Sequence, residues 1–375
     1  MEKFFCKVIF FVNKVLEALG AKNVAVRKTA RSALYNFLKC ATDISGKKKV
    51  LVPSFCCQSV YIAVELAGCE AKLIDVDLSN FSILFSDVEA KLCDDTLAVI
   101  FPHMFGICAM YDFDKWQFLR NKFPDVVWIE DACQTSLQKS KHNIHLGCHL
   151  DVGLFSCDNT KPIRGAMGLI AQYKSSKFLN SIYAVIDNFS DSNIVEYRIA
   201  ELKRLESSFF SSIISKKRLG FDFVDNPELI EDLRELYSDN LPPAKFWYLK
   251  SYSCIVDALC GTNYSSNNYY DRLFIELSKL NNSHFKMYER EPNDVIWRFP
   301  IIFNSVEDAL NISCLLRSKD INCSNHYFDL ASIFKKEIKS CANSVYISHR
   351  IINLWFNSDV ELKVCVDEIK KYYLK

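Results

Sequence analysis

The stretch KVLVPSFCCQSVYIAVELAGCEAKLIDVD, residues 49–77, reads as a complete strand–helix–strand unit. KVLVPS (49–54) is a short apolar run closed by a proline, which is the length and composition of a buried strand. CQSVYIAVELAG (57–68) has the spacing of a helix and stops at Gly68, and EAKLIDVD (70–77) is a second strand. Two strands joined through a helix run parallel and are covered by helices, and KVLVPS has the apolar run expected of such a strand.

The same alternation continues outward. RKTARSALYNFLKC (27–40) has a helical period. SDVEAKLC (86–93) reads as a helix capped by Ser86, LAVIFPH (97–103) as a strand, DFDKWQFLRNKF (112–123) as a helix and DVVWIEDA (125–132) as a strand. DVGLFSC (151–157) and GLIAQY (168–173) are two further short strands. Repeated strand–helix units with short turns predict an α/β fold: a large domain with a mostly parallel central sheet flanked by helices. In such sheets ligands gather at the carboxyl ends of the strands.

Residues 176–290 are mostly helical in pattern, with Pro242-Pro243 as the clearest break. The tail changes character. VIWRFPIIF (295–303) reads as a strand, SVEDALNISCLLRSKD (305–320) as a helix, YISHRIINLWF (346–356) carries a strand, and DVELKVCVDEIKKYYL (359–374) is a closing helix. This organisation predicts a large domain over residues 1–245, including an N-terminal amphipathic helix, and a small α+β domain over 246–375. A chain of 375 residues is long enough for both.

Composition narrows the partners. Lys+Arg is 46 and Asp+Glu is 45, a formal net charge of +1, so no excess of one sign points to nucleic acid or to a membrane surface. The apolar run near the N-terminus, Phe4–Val12, is broken by Lys7 and is too short to span a bilayer. The 16 cysteines are scattered, several of them inside apolar runs, with no pair at zinc-binding spacing. They read as small buried hydrophobes of a reduced, cytoplasmic protein, with no metal site.

Three segments contain residues able to carry chemistry. WIEDACQTS (128–136) ends an apolar strand with two acids, and Asp131 could hold a pyridinium nitrogen; a helix N-cap or a surface acid is the plain alternative. DVGLFSCDNTKPIRGAMGLI (151–170) puts Lys161 after a strand and a polar turn, with Ser156 five residues earlier. A lysine there could form a Schiff base and the serine could donate to a phosphate, although an exposed loop is the commonest place for a lysine. RKTARSAL (27–34) opens a helix with small residues, and the free N–H groups and positive dipole end of a helix start bind phosphate; an ordinary start capped by Thr29 is the alternative.

Taken together, these segments resemble the DegT/DnrJ/EryC1 family of fold-type-I pyridoxal-phosphate (PLP) enzymes, mostly sugar-nucleotide aminotransferases. The resemblance runs from about residue 25 to the C-terminus. It is strongest over 50–172, where VLVPSFCCQSVYIAVELAG, AKLIDVDLSNFSI, AVIFPHMFG, IEDACQTS and FSCDNTKPI stand in the family's order and spacing. The resemblance implies that Lys161 forms the aldimine with PLP and shuttles a proton between cofactor and substrate carbon. By the same resemblance Asp131 pairs with the pyridine nitrogen, and Gln134 lies beside the ring. Ser156 and the backbone at Ala30 and Arg31 hold the phosphate. Cys57 falls where the family stacks a side chain on the ring, and His326, in CSNHYFDLA, approaches the substrate. His103, in PHMFG, is either part of the site or a packing residue. KSYSCIVDAL (250–259), with Ser253, is the counterpart of a loop that reaches the neighbouring subunit's phosphate.

The activity these resemblances imply is transfer of an amino group, from glutamate, to a keto group on a nucleotide-linked sugar. The expected partners are that sugar nucleotide and the amino donor, and the expected assembly is a homodimer, in polysaccharide or related sugar biosynthesis. Two alternatives stand beside this: PLP-dependent sugar dehydration, and a degenerate protein of the same fold that binds a sugar nucleotide without turnover.

Overall fold

A computed structural model of the chain describes residues 17–27, 29–109, 113–158, 160–165, 167–186, 266–280, 284–324, 327, 329–334 and 336–374. Within them the elements follow in this order. Strand β1 (Asn23–Arg27) and helix α1 (Ala30–Ser45) are followed by β2 (Lys49–Pro53), α2 (Gln58–Leu66), β3 (Glu70–Ile74), α3 (Phe85–Lys91) and β4 (Thr96–Pro102). Then come α4 (Phe113–Lys122), β5 (Val127–Asp131), β6 (Val152–Cys157), β7 (Met167–Gln172) and α5 (Lys177–Val185). The C-terminal part holds α6 (Ser266–Leu277), β8 (Phe285–Met287), β9 (Phe299–Phe303), α7 (Val306–Arg317), β10 (Cys323–Ser324), α8 (Leu330–Phe334), α9 (Ala342–Arg350), β11 (Ile351–Leu354) and α10 (Asp359–Tyr373).

The first seven strands form one sheet in the order β1-β7-β6-β5-β4-β2-β3. β3, β2, β4, β5 and β6 are parallel; β7 is antiparallel to β6, and β1 to β7. The expected α/β core is therefore present, with two antiparallel strands at one side. Because successive strand residues point to opposite faces, each strand feeds two cores. Val50, Val52, Ile100, Ile129 and Leu154 pack with α1 and α2, whereas Leu51, Val99, Phe101 and Trp128 pack with Trp116 and Leu119 of α4.

The start of α1 shows how local chemistry sets a boundary. Helical periodicity predicted a helix from residue 27, but Val24–Arg27 pair with β7 as an edge strand, Arg27 lying opposite Gly168. The helix begins only after Thr29, whose hydroxyl accepts the Ser32 N–H at 3.1 Å. It ends at Gly46, in the left-handed region at φ 73°, whose N–H returns to the Thr42 carbonyl at 2.8 Å. The cap expected at Ser86 is not used: Ser86 lies inside α3, and Leu84 precedes the helix without a side-chain cap. VIWRFPIIF is likewise only half strand, since residues 295–298 lead into β9 without joining the ladder.

The C-terminal sheet, β10-β11-β9-β8, is antiparallel. It is fastened to the parallel sheet through backbone groups. Ser54, just past β2, accepts the Leu330 N–H at 2.7 Å, and the carboxylate of Asp75 accepts the N–H groups of Asn343 and Ser344, each at 2.8 Å. Tyr61 and Phe334 stack with ring centroids 3.8 Å apart. The boundary expected at residues 245/246 lies outside the described residues. No described helix is long and apolar enough to cross a membrane.

Candidate active site

β5 ends in two acids, and the pleat separates them. Asp131 projects to the face that carries Ile129, and Glu130 to the face that carries Trp128. Both are buried, at 7% and 0% exposure, yet their surroundings differ completely.

Glu130 is fully partnered. It accepts from His103 Nε2 at 2.7 Å, from the Gly147 N–H at 2.7 Å, and from the His149 N–H and Nδ1 at 2.8 and 2.9 Å. His103 Nδ1 accepts the Ala109 N–H at 2.9 Å, so Nε2 must carry the ring proton and donate it to Glu130. Burial alone would raise the Glu130 carboxyl, but the bonds from the two imidazoles outweigh it and hold the group well below the usual carboxylate range. His103 thus has both ring nitrogens occupied inside the core. The structure favours the packing role for this residue.

Asp131 faces the other way. Its Oδ1 accepts the Cys133 N–H at 3.0 Å, and its charge acts on Lys161, Tyr327 and the thiol of Cys133. Lys161 is presented by a turn that its own neighbours build. The Asp158 carboxylate accepts the Thr160 N–H at 3.1 Å and the Asp158 carbonyl accepts the Lys161 N–H at 3.0 Å, a local pattern typical of aspartate in turns. Burial would lower the Lys161 ammonium, but Tyr327, Cys57, Cys133 and Asp131 push it the other way and leave it raised. Its Nζ stands 5.1 Å from the ring centroid of Trp297. Lys161, Asp131 and Cys57, expected to meet, are therefore electrostatic neighbours; Cys57 is the residue immediately before α2.

Ser156, Ala30 and Arg31 converge at a second point on the same face. Ser156 lies opposite Gly168 in the β6–β7 ladder, and side chains of opposed residues share a face. At Gly168 a Cβ would fall 1.9 Å from the Ala30 nitrogen and 2.1 Å from the Thr29 carbonyl carbon. Only glycine lets the strand run this close to the first turn of α1. The approach brings the Ser156 side chain beside a helix start, where the first N–H groups have no acceptor within the helix. Asp131 pairs with Leu154, two residues before Ser156 on that same face. A carboxylate, a lysine, a serine and a helix start thus lie along one surface of the sheet at its carboxyl ends. This set suits a flat heterocycle bearing a phosphate: the close Gly168–Ala30 approach sets the Ser156 side chain beside the start of α1, and a hydroxyl and helix-start N–H groups are donors an anion takes.

Gln134, 6% exposed, is held by Phe105. The Phe105 N–H donates to Gln134 Oε1 at 2.7 Å, and Gln134 Nε2 donates to the Tyr327 hydroxyl at 3.1 Å. Phe105 adopts a left-handed backbone at φ 59°, a conformation that costs a non-glycine residue about 1–2 kcal/mol. Its surroundings explain why it is kept. Its carbonyl accepts the Trp297 N–H at 2.7 Å, and its ring meets Tyr327 edge-on with centroids 5.2 Å apart. At the adjoining Gly106, at φ 88°, a Cβ would lie 2.2 Å from the Val295 carbonyl oxygen. The PHMFG segment is thus the hinge point that seats Trp297 and Tyr327 over Lys161.

Tyr327, Cys133, Trp297 and Arg298 were not expected from the sequence. Tyr327 adjoins His326, and Cys133 sits between the expected Asp131 and Gln134, so local context could have suggested both. Nothing local distinguishes Trp297 or Arg298 from strand residues. Burial raises the Tyr327 phenol to about 12 and the Cys133 thiol well above its usual range. His326 and Ser253, both expected near the site, lie outside the described residues.

The family model described as the DegT/DnrJ/EryC1/StrS aminotransferase family matches residues 7–171. Protein MosB of Rhizobium meliloti is 27% identical over 160 residues, a match spanning 42% of this chain and 30% of that protein. The solved structure of a DegT DnrJ EryC1 StrS aminotransferase from Brucella abortus superposes with a TM-score of 0.68 at 17% identity, covering 98% of this chain and 90% of the other. The sugar aminotransferase CalS13 from Micromonospora echinospora gives 0.69 at 13% identity, covering 97% and 91%. An E coli GDP-4-keto-6-deoxy-D-mannose-3-dehydratase with bound hydrated PLP gives 0.65 at 13%, covering 96% and 90%. These structures share the fold over the length of the chain, and residues 7–171 are similar to the DegT/DnrJ/EryC1/StrS aminotransferase family.

Proposed function

We propose that this chain is a PLP-dependent aminotransferase that moves an amino group from an amino acid, glutamate by preference, to a keto group of a nucleotide-linked sugar. The observation that carries the reading is the shared face of Asp131, Ser156, the Gly168–Ala30 contact and Lys161. Ser156 and the first N–H groups of α1, at Ala30 and Arg31, would hold the phosphate. Asp131 would face the ring nitrogen, and its negative charge favours keeping a proton there. Gln134, fixed by the Phe105 N–H, would border the ring's edge, and Cys57 would cover one face. When bound, PLP supplies an electron-poor ring able to take up the electron pair released as a proton leaves the substrate carbon. Lys161 is the base that takes that proton and returns it. For this its amine must lose the extra proton that Tyr327, Cys57, Cys133 and Asp131 favour.

The family match over residues 7–171 and the aminotransferases among the fold neighbours support this reading. The neighbours also include a dehydratase, and sugar dehydration is the second reading. Lys161 bears on the choice, because a reaction that returns a proton to carbon needs a base of this kind beside the ring. A homodimer, a cytoplasmic location and a place in polysaccharide or related sugar biosynthesis belong to the same proposal. The test is spectroscopic. Protein loaded with PLP should show a visible absorbance band that glutamate bleaches and a keto sugar nucleotide restores. A sugar nucleotide that loses water and gains no amine, read from the mass of the product, would establish dehydration instead.

A further inference from the structure

Glu130 shows what a finished buried charge looks like in this molecule, and Arg298 is its opposite. Arg298 follows Trp297 and precedes β9. The β9–β11 register ends with Phe299 opposite Leu354, which brings Arg298 alongside Trp355 just beyond the ladder. The guanidinium carbon lies 3.5 Å from the Trp355 ring centroid and 4.7 Å from that of Trp297. It is therefore packed between two indoles, an arrangement suited to a flat cation. Its Nη1 is enclosed and has no hydrogen-bond partner, and no Asp or Glu among the described residues forms an ion pair with it. Burial lowers it to about 10, against a small opposing pull from the Tyr327 phenol. Proteins rarely leave an enclosed guanidinium without an acceptor, because desolvation then goes uncompensated.

The position of this cation says what would complete it. Lys161 Nζ lies against the same Trp297 ring, so the amine and the guanidinium are separated by no more than the sum of their two distances to that ring. Tyr327 couples electrostatically to both. We propose that Arg298 is the carboxylate subsite of the Lys161 site and takes a carboxylate of the amino-group donor. The claim rests on the aminotransferase reading only for the identity of the donor. A carboxylate suits the position better than a phosphate. One guanidinium offers a planar pair of donors matched to two coplanar oxygens, and the phosphate-binding features of the site, Ser156 and the α1 start, lie elsewhere.

The experiment titrates 2-oxoglutarate, and separately uridine diphosphate, into the PLP-loaded protein by calorimetry. It compares wild type with Arg298→Gln and with Arg298→Lys, which keeps the charge but loses the paired donors. Arg298→Gln should weaken 2-oxoglutarate by about 10- to 100-fold and Arg298→Lys by less, with the diphosphate unchanged. Equal 2-oxoglutarate affinity in wild type and variants overturns the proposal, as does loss of the diphosphate with the carboxylate retained. Retention of the visible band and melting curve shows that a variant is folded; if Arg298→Gln is not, Arg298→Lys decides alone. Bleaching of wild type by glutamate is scored separately. A protein that binds 2-oxoglutarate through Arg298 but is not bleached would refute transamination and leave the subsite standing.

Discussion

Glu130 and Asp131 are neighbours in sequence, and comparing their surroundings separates structure from function in this protein. On the Glu130 side both carboxylate oxygens are bonded: two imidazoles and two backbone N–H groups hold them. On the Asp131 side the charges are only partly answered. Lys161 rests on an indole, Arg298 has an orphaned nitrogen, and the Gly168–Ala30 contact sets the Ser156 side chain beside the start of α1. A closed polar network fixes the fold, whereas groups still lacking partners mark where a ligand supplies them.

The contrast can be broken from either side. The largest effect is expected for Lys161→Ala, which should abolish the visible band and lower turnover by about 10³-fold or more, with little change in stability. Kinetics and urea unfolding on the same sample check both halves; a large loss of stability would mean that Lys161 belongs to the closed kind of network. Asp131→Asn should lower turnover by about 10²-fold, while removing one of the charges that keep Lys161 protonated. Cofactor loading of that variant should therefore reach its full rate at lower pH than in wild type.

Glu130→Gln should act in the opposite sense: a loss of about 3 kcal/mol in urea unfolding at neutral pH, with the spectrum of loaded protein nearly unchanged. Its pH dependence has a definite sign. The folded-state value is lowered, so Glu130 stabilises fully above the ordinary glutamate range, near 4.5, and the contribution fades as pH falls below it. Wild type should lose stability more steeply than Glu130→Gln between about pH 4.5 and 2.

Gly168→Ala forces β7 away from the start of α1 and should weaken PLP binding by about 10-fold or more, measured by equilibrium titration. The smallest effect is expected at Cys57, which offers a thin contact; Cys57→Ala should change PLP affinity by only about 2- to 3-fold.

Much of this was legible in the chain. Apolar runs such as KVLVP and LAVIFP identify themselves as buried parallel strands, because both of their faces are covered. Asp131 and Lys161 stand at or after strand ends, but it was the resemblance over 50–172, and not those places alone, that singled them out. The edge strand at Asn23–Arg27 was not, since its five residues merge into the helical period that follows and only pairing with β7 holds them extended. His103 was ambiguous for a related reason: its partner Glu130, which also holds the loop at Gly147–His149, meets it only once β4 and β5 are adjacent.

The sequence by itself determined the α/β architecture, because hydrophobic period and turn chemistry act over a few residues. Tertiary structure decided which charges are satisfied. Glu130 and Asp131 are chemically similar acids, and the pleat alone sent one into a closed network and the other toward Lys161. Arg298 reads in sequence as a strand residue. It becomes a candidate binding group only where the β9–β11 register sets it against Trp355, beside Trp297 and within reach of a lysine more than a hundred residues away.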